Sequence, residues 1–211
     1  EAHPFVYRIA TAKMNWDIDE RELTDALLAI LTQAKESKRN KTNISNKKIL
    51  EKEFPALILK CYEPESLLDL LSLRLAIEDK NISGPLRDFF FVALTSLLRQ
   101  ISVAATGWPY IAPNKQKTTS LNKDAFIEFE RQVIKMMNDI LLTIKDARPN
   151  YKNSWHKLFN SDARFTQQLI PTGTVNHVFT SPPYLNNFDY VDRTSLELYF
   201  WKEASNWGEI S

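Results

Sequence analysis

Residues 175–180 form a short apolar run that ends in Thr180-Ser181-Pro182-Pro183-Tyr184, and a polar stretch after it leads into an amphipathic segment closing at Trp201. This pattern predicts a buried strand, a rigid loop at its carboxyl end and a helix, the unit from which open α/β sheets are built. Pro182 and Pro183 each hold φ at about −65° and lack an N–H, so the loop carbonyls must find donors outside a regular ladder. The amino group of a substrate is such a donor. Ser181 adds a hydroxyl that accepts another hydrogen bond, and Tyr184 a flat ring suited to stacking on a base. The exocyclic amine of adenine or cytosine is a poor nucleophile because its lone pair is delocalised into the ring. Two acceptors on its hydrogens favour the pyramidal amine that attacks a methyl donor in line.

The rest of the composition sets limits. The chain has 211 residues, 44% hydrophobic and 25% charged, enough for a sizeable core. Its net charge of +1 gives no global basic field, so contact with DNA has to come from local patches. One cysteine, Cys61 between Leu59-Lys60 and Tyr62, excludes an intrachain disulfide and reads as core in a reducing compartment. No run approaches a membrane span and the start does not read as a signal peptide, so a cytoplasmic protein is expected. His3, His156 and His177 lie in no metal-ligand spacing, and no nucleophile elbow is present. The 4 glycines are scattered at Gly84, Gly107, Gly173 and Gly208, so no clustered-glycine loop is available to hold a nucleotide.

Along the chain, Pro4 opens a first helix with apolar residues at helical spacing to Met14 and Trp16. Residues 17–20 read as a capping box for a second, with Leu23, Ala26, Leu27, Ile30, Leu31 and Ala34 as its stripe. Residues 35–48 turn polar and basic and read as a loop, either a solvated surface or a phosphate contact. Helices are expected over 64–79 and 84–105, too apolar to stand exposed. Residues 107–117 carry two aromatics, two prolines and two lysines, a structural loop or one that wedges on DNA. Asn122 is the expected cap of a long helix to about 147, with Phe126, Phe129, Val133, Met136, Met137, Ile140 and Ile144 buried. From 151 the pattern becomes α/β: 155–159 is a strand candidate, and Asn160-Ser161-Asp162-Ala163-Arg164 the turn after it. After Tyr184, Asn186, Asn187, Asp189, Tyr190, Asp192 and Arg193 could hold the loop, touch the base or cap a helix over 195–201, with Asp192 best explained as the cap.

Ser181-Pro182-Pro183-Tyr184 resembles the (Asp, Asn or Ser)-Pro-Pro-(Tyr, Phe or Trp) loop of the DNA amino-methyltransferases, which transfer a methyl group from S-adenosylmethionine to N4 of cytosine or N6 of adenine. In that family the loop follows the fourth strand. An acidic residue before a short His-Pro or Asn-Pro turn ends the second strand and bonds the cofactor ribose, a place that Glu1 takes here. An aspartate in a Ser-Asp-Ala-Arg-like turn ends the third strand and contacts the cofactor adenine, a place that Asp162 takes. The resemblance implies catalytic roles for Ser181, Pro182, Pro183 and Tyr184, cofactor contacts from Glu1 and Asp162, and base contacts from Tyr184, Asn186 and Asn187. It implies DNA as partner, a base flipped from the duplex and stacked on Tyr184, and no metal.

The fold class expected is therefore α/β, a partial Rossmann-like methyltransferase sheet with a large, mostly α-helical insertion. Residues 1–16 begin the core after the second strand. Residues 17–150, roughly 130 in number, form the insertion and a candidate DNA-recognition subdomain. Residues 151–211 return to the core with the third and fourth strands and the loop. The Phe-x-Gly-x-Gly-like first motif has no counterpart, so the missing segments or a complementing subunit are expected to supply it, and the chain alone is expected to be inactive. Two alternatives stay open: a catalytically inactive helical module that binds DNA or protein, and a methyltransferase acting on RNA or on a protein glutamine.

Overall fold

The computed structural model describes residues 1–39, 43–79, 81–82, 84–106, 111–117, 123–146, 156–180 and 190–209. Helices dominate them: α1 Pro4–Met14, α2 Glu20–Arg39, α3 Asn43–Glu53, α4 Ala56–Cys61, α5 Pro64–Ile77, α6 Gly84–Ile101, α7 Ala125–Asp146 and α8 Tyr190–Phe200. Two short strands, β1 Ala104–Thr106 and β2 Ile111–Gln116, pair antiparallel with a register irregularity after Ala104.

The centre is α5. Ten of its 14 residues are buried, including Leu67, Leu70, Leu71, Leu73 and Ile77. A helix apolar on all sides has to be surrounded, and α2, α3, α6 and α7 pack around it. Each of these fully covered side chains contributes about 1.5–3 kcal/mol by leaving water. To the same core α6 contributes Phe90, Phe91, Leu94 and Leu98, all fully covered, and α7 adds Phe129 and Val133. Phe5 of α1 meets Phe91 edge-on with ring centres 5.5 Å apart.

Local chemistry sets the helix ends. The His3 Nδ1 accepts from the Phe5 N–H ahead of Pro4 at the first helical position. At α2 the cap is Asp19, whose Oδ1 accepts from the N–H groups of Arg21 and Glu22 at 2.8 and 3.0 Å, so the capping box expected from Asp17 is shifted by two residues. The expected stripe of α2 is buried apart from Ala26, which is half-buried. At α7 the cap is Asp124, which accepts from Phe126 and Ile127; Asn122 lies outside the described residues. Lys117 donates its Nζ to the carbonyls of Arg99 at 2.7 Å and Ser102 at 2.6 Å, closing the carboxyl end of α6. Lys117 is therefore structural; residues 111–116 form β2 where a loop was expected, and Trp108 and Tyr110 lie outside the described residues.

Three expectations need correction. Residues 35–48 are not a single loop: α2 runs to Arg39 and α3 starts at Asn43. Lys, Arg and Glu are good helix formers, and buried Leu50 with half-buried Ile49 gives α3 a face to dock, followed at once by buried Phe54, which outweighs the polar composition read as loop. Second, neither 156–159 nor 175–180 is a strand. A strand needs neighbours for its N–H and C=O groups, and Val178 is 83% and Phe179 102% exposed, so the apolar run lies uncovered instead of buried. Among the described residues the sheet is β1–β2 alone, not a parallel Rossmann-like one. Third, the last helix starts at Tyr190, so Asp192 lies inside its first turn and is not its N-cap.

Candidate functional site

The two segments expected to end in acidic residues are joined. The Glu1 α-amino group donates to the Phe159 carbonyl at 3.0 Å, and the Ser161 N–H donates back to the Glu1 carbonyl at 3.0 Å. This bond pair is one rung of parallel pairing, with Glu1 opposite Asn160. One rung makes no strand, yet it sets the register and direction of the two segments. On one side of it the Glu1 Oε1 accepts from the His3 N–H at 2.9 Å, which turns the chain into α1.

On the other side Asp162 caps the short 3₁₀ helix Ala163–Gln168, its Oδ1 accepting from the Arg164 N–H at 2.8 Å. The Arg164 side chain grips the same carboxylate, Nη2 to Oδ2 at 2.6 Å and Nε to both oxygens at 3.0 Å. These bonds from Arg164 hold the Asp162 carboxyl down at about 2, so it stays an anion. These four contacts already fill the about four acceptor directions of the carboxylate, so any further partner of Asp162 has to displace the Arg164 side chain. Two acidic side chains, Glu1 and Asp162, thus flank one parallel rung, the first bonded to the His3 N–H and the second to Arg164.

Residues 156–180 contain no buried side chain, and Phe165, Val175, Val178 and Phe179 stand exposed. Ser181, Pro182, Pro183, Tyr184, Asn186 and Asn187 lie outside the described residues. The helix beyond them, α8, is fastened to the helical body by two arginines. Arg99 of α6 reaches Glu197 of α8 at 2.6 Å through Nε and 3.2 Å through Nη2, and donates also to the Arg193 carbonyl. Burial works against the Arg99 charge, but the bond to Glu197 and its charge more than offset this and hold the guanidinium above its ordinary value.

The second arginine fastens the other end of α8. Arg74, 2% exposed, donates to the Phe200 carbonyl and to Glu53 at 2.6 Å. Its guanidinium lies 5.2 Å from the ring of Phe54 and 5.6 Å from that of Phe200, which stack on each other. The Trp201 Nε1 donates to the Thr95 hydroxyl at 2.8 Å, and Lys202, at φ 59°, reaches Glu53 at 2.7 Å. Sequence reasoning missed Arg74, Arg99 and Glu197. The readable signal was an arginine inside Leu-Ser-Leu-Arg-Leu-Ala-Ile, since a charge in an otherwise buried run requires a partner.

Cys61 is buried and unpaired by any disulfide, and burial pushes its thiol up to about 11. Among the described residues no group of three His, Cys, Asp or Glu side chains could hold a metal ion. No helix there is long and apolar enough to cross a membrane. The chain matches no family model, no curated protein and no solved structure.

Proposed function

We propose that the chain is part of a cytoplasmic, site-specific DNA amino-methyltransferase, in which it supplies the nucleoside edge of the cofactor site and the loop that receives the target base. The observation that carries this reading is the parallel rung between Glu1 and Phe159–Ser161, because it brings together two segment ends that the resemblance treats as neighbouring strand ends. S-adenosylmethionine supplies the methyl group when bound. Glu1 bonds the ribose hydroxyls and Asp162 the adenine. Ser181 and the Pro182 carbonyl accept from the two hydrogens of the exocyclic amine and keep its lone pair free, while Tyr184 stacks on the flipped base and Asn186 and Asn187 border it.

Completion of the parallel sheet falls to a polypeptide segment carrying the glycine-rich first motif. The bare apolar run with Val178 and Phe179 supports this, since such side chains are strand material without a sheet. Cofactor binding by the chain with and without that segment is the test. The chain as a helical binding module alone is the second reading, favoured by one observation: the buried core lies in the helical body, and residues 156–180 contribute nothing to it.

A further inference from the structure

We propose that the corner formed by the end of α2 and the start of α3 is the surface that holds the phosphate backbone of duplex DNA. Charge in this chain is unevenly spread. Residues 35–48 carry six cations and one carboxylate, net +5, in a chain whose total is +1, so the remaining residues sum to −4. The fold keeps the five of them on α2 and α3 together, since only residues 40–42 separate the two helices and a connection of that length spans at most about 14 Å. Over such a length duplex DNA presents about eight phosphate charges.

Not every cation in the corner is available. Lys38 is committed to Asp69 at 2.6 Å, and Lys47 has only a loose 3.9 Å contact with Glu51 while 83% exposed. Lys35, Arg39 and Lys48 are exposed, and among the described residues no ion pair holds them. Lys35 and Arg39 stand one turn apart on α2, and Lys47 and Lys48 come one turn into α3.

The chemistry favours nucleic acid over a lipid surface. A membrane-binding helix keeps an apolar face free, but here Leu50 of α3 and Phe54 just beyond it are buried against the body and Ile49 is packed on it. Apart from Glu36 and Ile44, the residues between the cations are Asn, Ser and Thr, whose side chains bond phosphate oxygens.

This surface rests on the DNA half of the function proposed above, and its test reads binding alone. Anisotropy of a labelled duplex of about 20 base pairs would be followed against the chain at roughly 50 to 200 mM salt. Two triple variants would be compared: Arg39→Gln/Lys47→Gln/Lys48→Gln in the corner and Lys13→Gln/Arg21→Gln/Lys60→Gln elsewhere, all exposed residues. The corner variant is expected to weaken binding at least about tenfold and to lower the salt slope by about 2 to 3, while the other triple changes affinity by less than about threefold. Equal losses in both triples would overturn the proposal, as would absence of duplex binding by the parent, or tighter binding to single strands or to anionic vesicles. Duplex binding without cofactor binding would leave this surface standing and remove the methyl-transfer reading. Cofactor binding with an unaffected corner variant would do the reverse.

Discussion

The Arg99 guanidinium and the Glu197 carboxylate meet at 2.6 Å and tie α6 to α8, the helix on the carboxyl side of the Ser181-Pro182-Pro183-Tyr184 segment. The same arginine caps the Arg193 carbonyl one turn earlier, so one side chain fixes both the position and the rotation of α8. The helical body therefore anchors the carboxyl flank of the proposed loop.

Truncating that arginine removes three hydrogen bonds and leaves Glu197, 12% exposed, with its charge unpaired. Arg99→Ala should lower the unfolding free energy by about 2–3 kcal/mol, read as a lower urea midpoint. Glu197→Gln keeps an acceptor for Arg99 and should cost about 1 kcal/mol. A loss from Arg99→Ala no larger than that of an ordinary surface substitution would mean that α8 is held by Arg74 and its aromatic residues without Arg99.

Two carboxylates should give opposite pH signatures. Burial opposes the Glu53 charge, but Lys202 and Arg74 more than offset it and hold its carboxyl below the ordinary value of 4.5. Its stabilising contribution is complete above 4.5 and is lost as pH falls through the lowered folded value, so Glu53→Gln should flatten the acid limb of stability against pH. For Asp69 burial outweighs the pull of Lys38, and its carboxyl sits above the ordinary value of 3.8. The charged form is then penalised in the folded state, fully so once pH has risen through the raised value. Asp69→Asn should raise the urea midpoint at neutral pH, and the difference should fade on acidification toward 3.8. Parallel pH profiles for the parent and both variants would refute these assignments.

Val178 and Phe179 touch little in this chain, at 83% and 102% exposure. Val178→Ser/Phe179→Ser should leave the stability of the chain within about 0.5 kcal/mol. Burying the phenylalanine in a completed sheet is worth about 2–3 kcal/mol, so the same variant should bind the segment carrying the first motif about 30- to 150-fold more weakly by titration calorimetry. A substantial drop in stability of the chain by itself would show that the run already has a partner.

Helices were the legible part of this fold. Their signals are local: the α2 stripe, the α7 stripe as far as Ile140 and the two apolar runs of α5 and α6 fall on buried or half-buried faces, with ends near those expected, while the Ile144 side chain lies outside the described residues. Cap positions were less legible, because Asp19 and Asp124 each compete with a neighbouring polar residue of similar capping strength. The strands at 155–159 and 175–180 misled for a different reason. Their composition encodes burial against something, and composition alone does not say whether the covering surface lies in the same chain. Glu1 and Asp162 were legible as a pair only through the resemblance, and the rung between their segments depends on a contact across 158 positions that no local pattern encodes.

Titration calorimetry of S-adenosylmethionine into the chain, alone and together with a polypeptide carrying the glycine-rich first motif, tests the central claim most directly. Heat of binding should appear only in the second titration and should weaken at least about tenfold with Asp162→Ala, which removes a charge-assisted acceptor. Absence of heat in both titrations would contradict the methyltransferase reading and leave the helical binding module in its place.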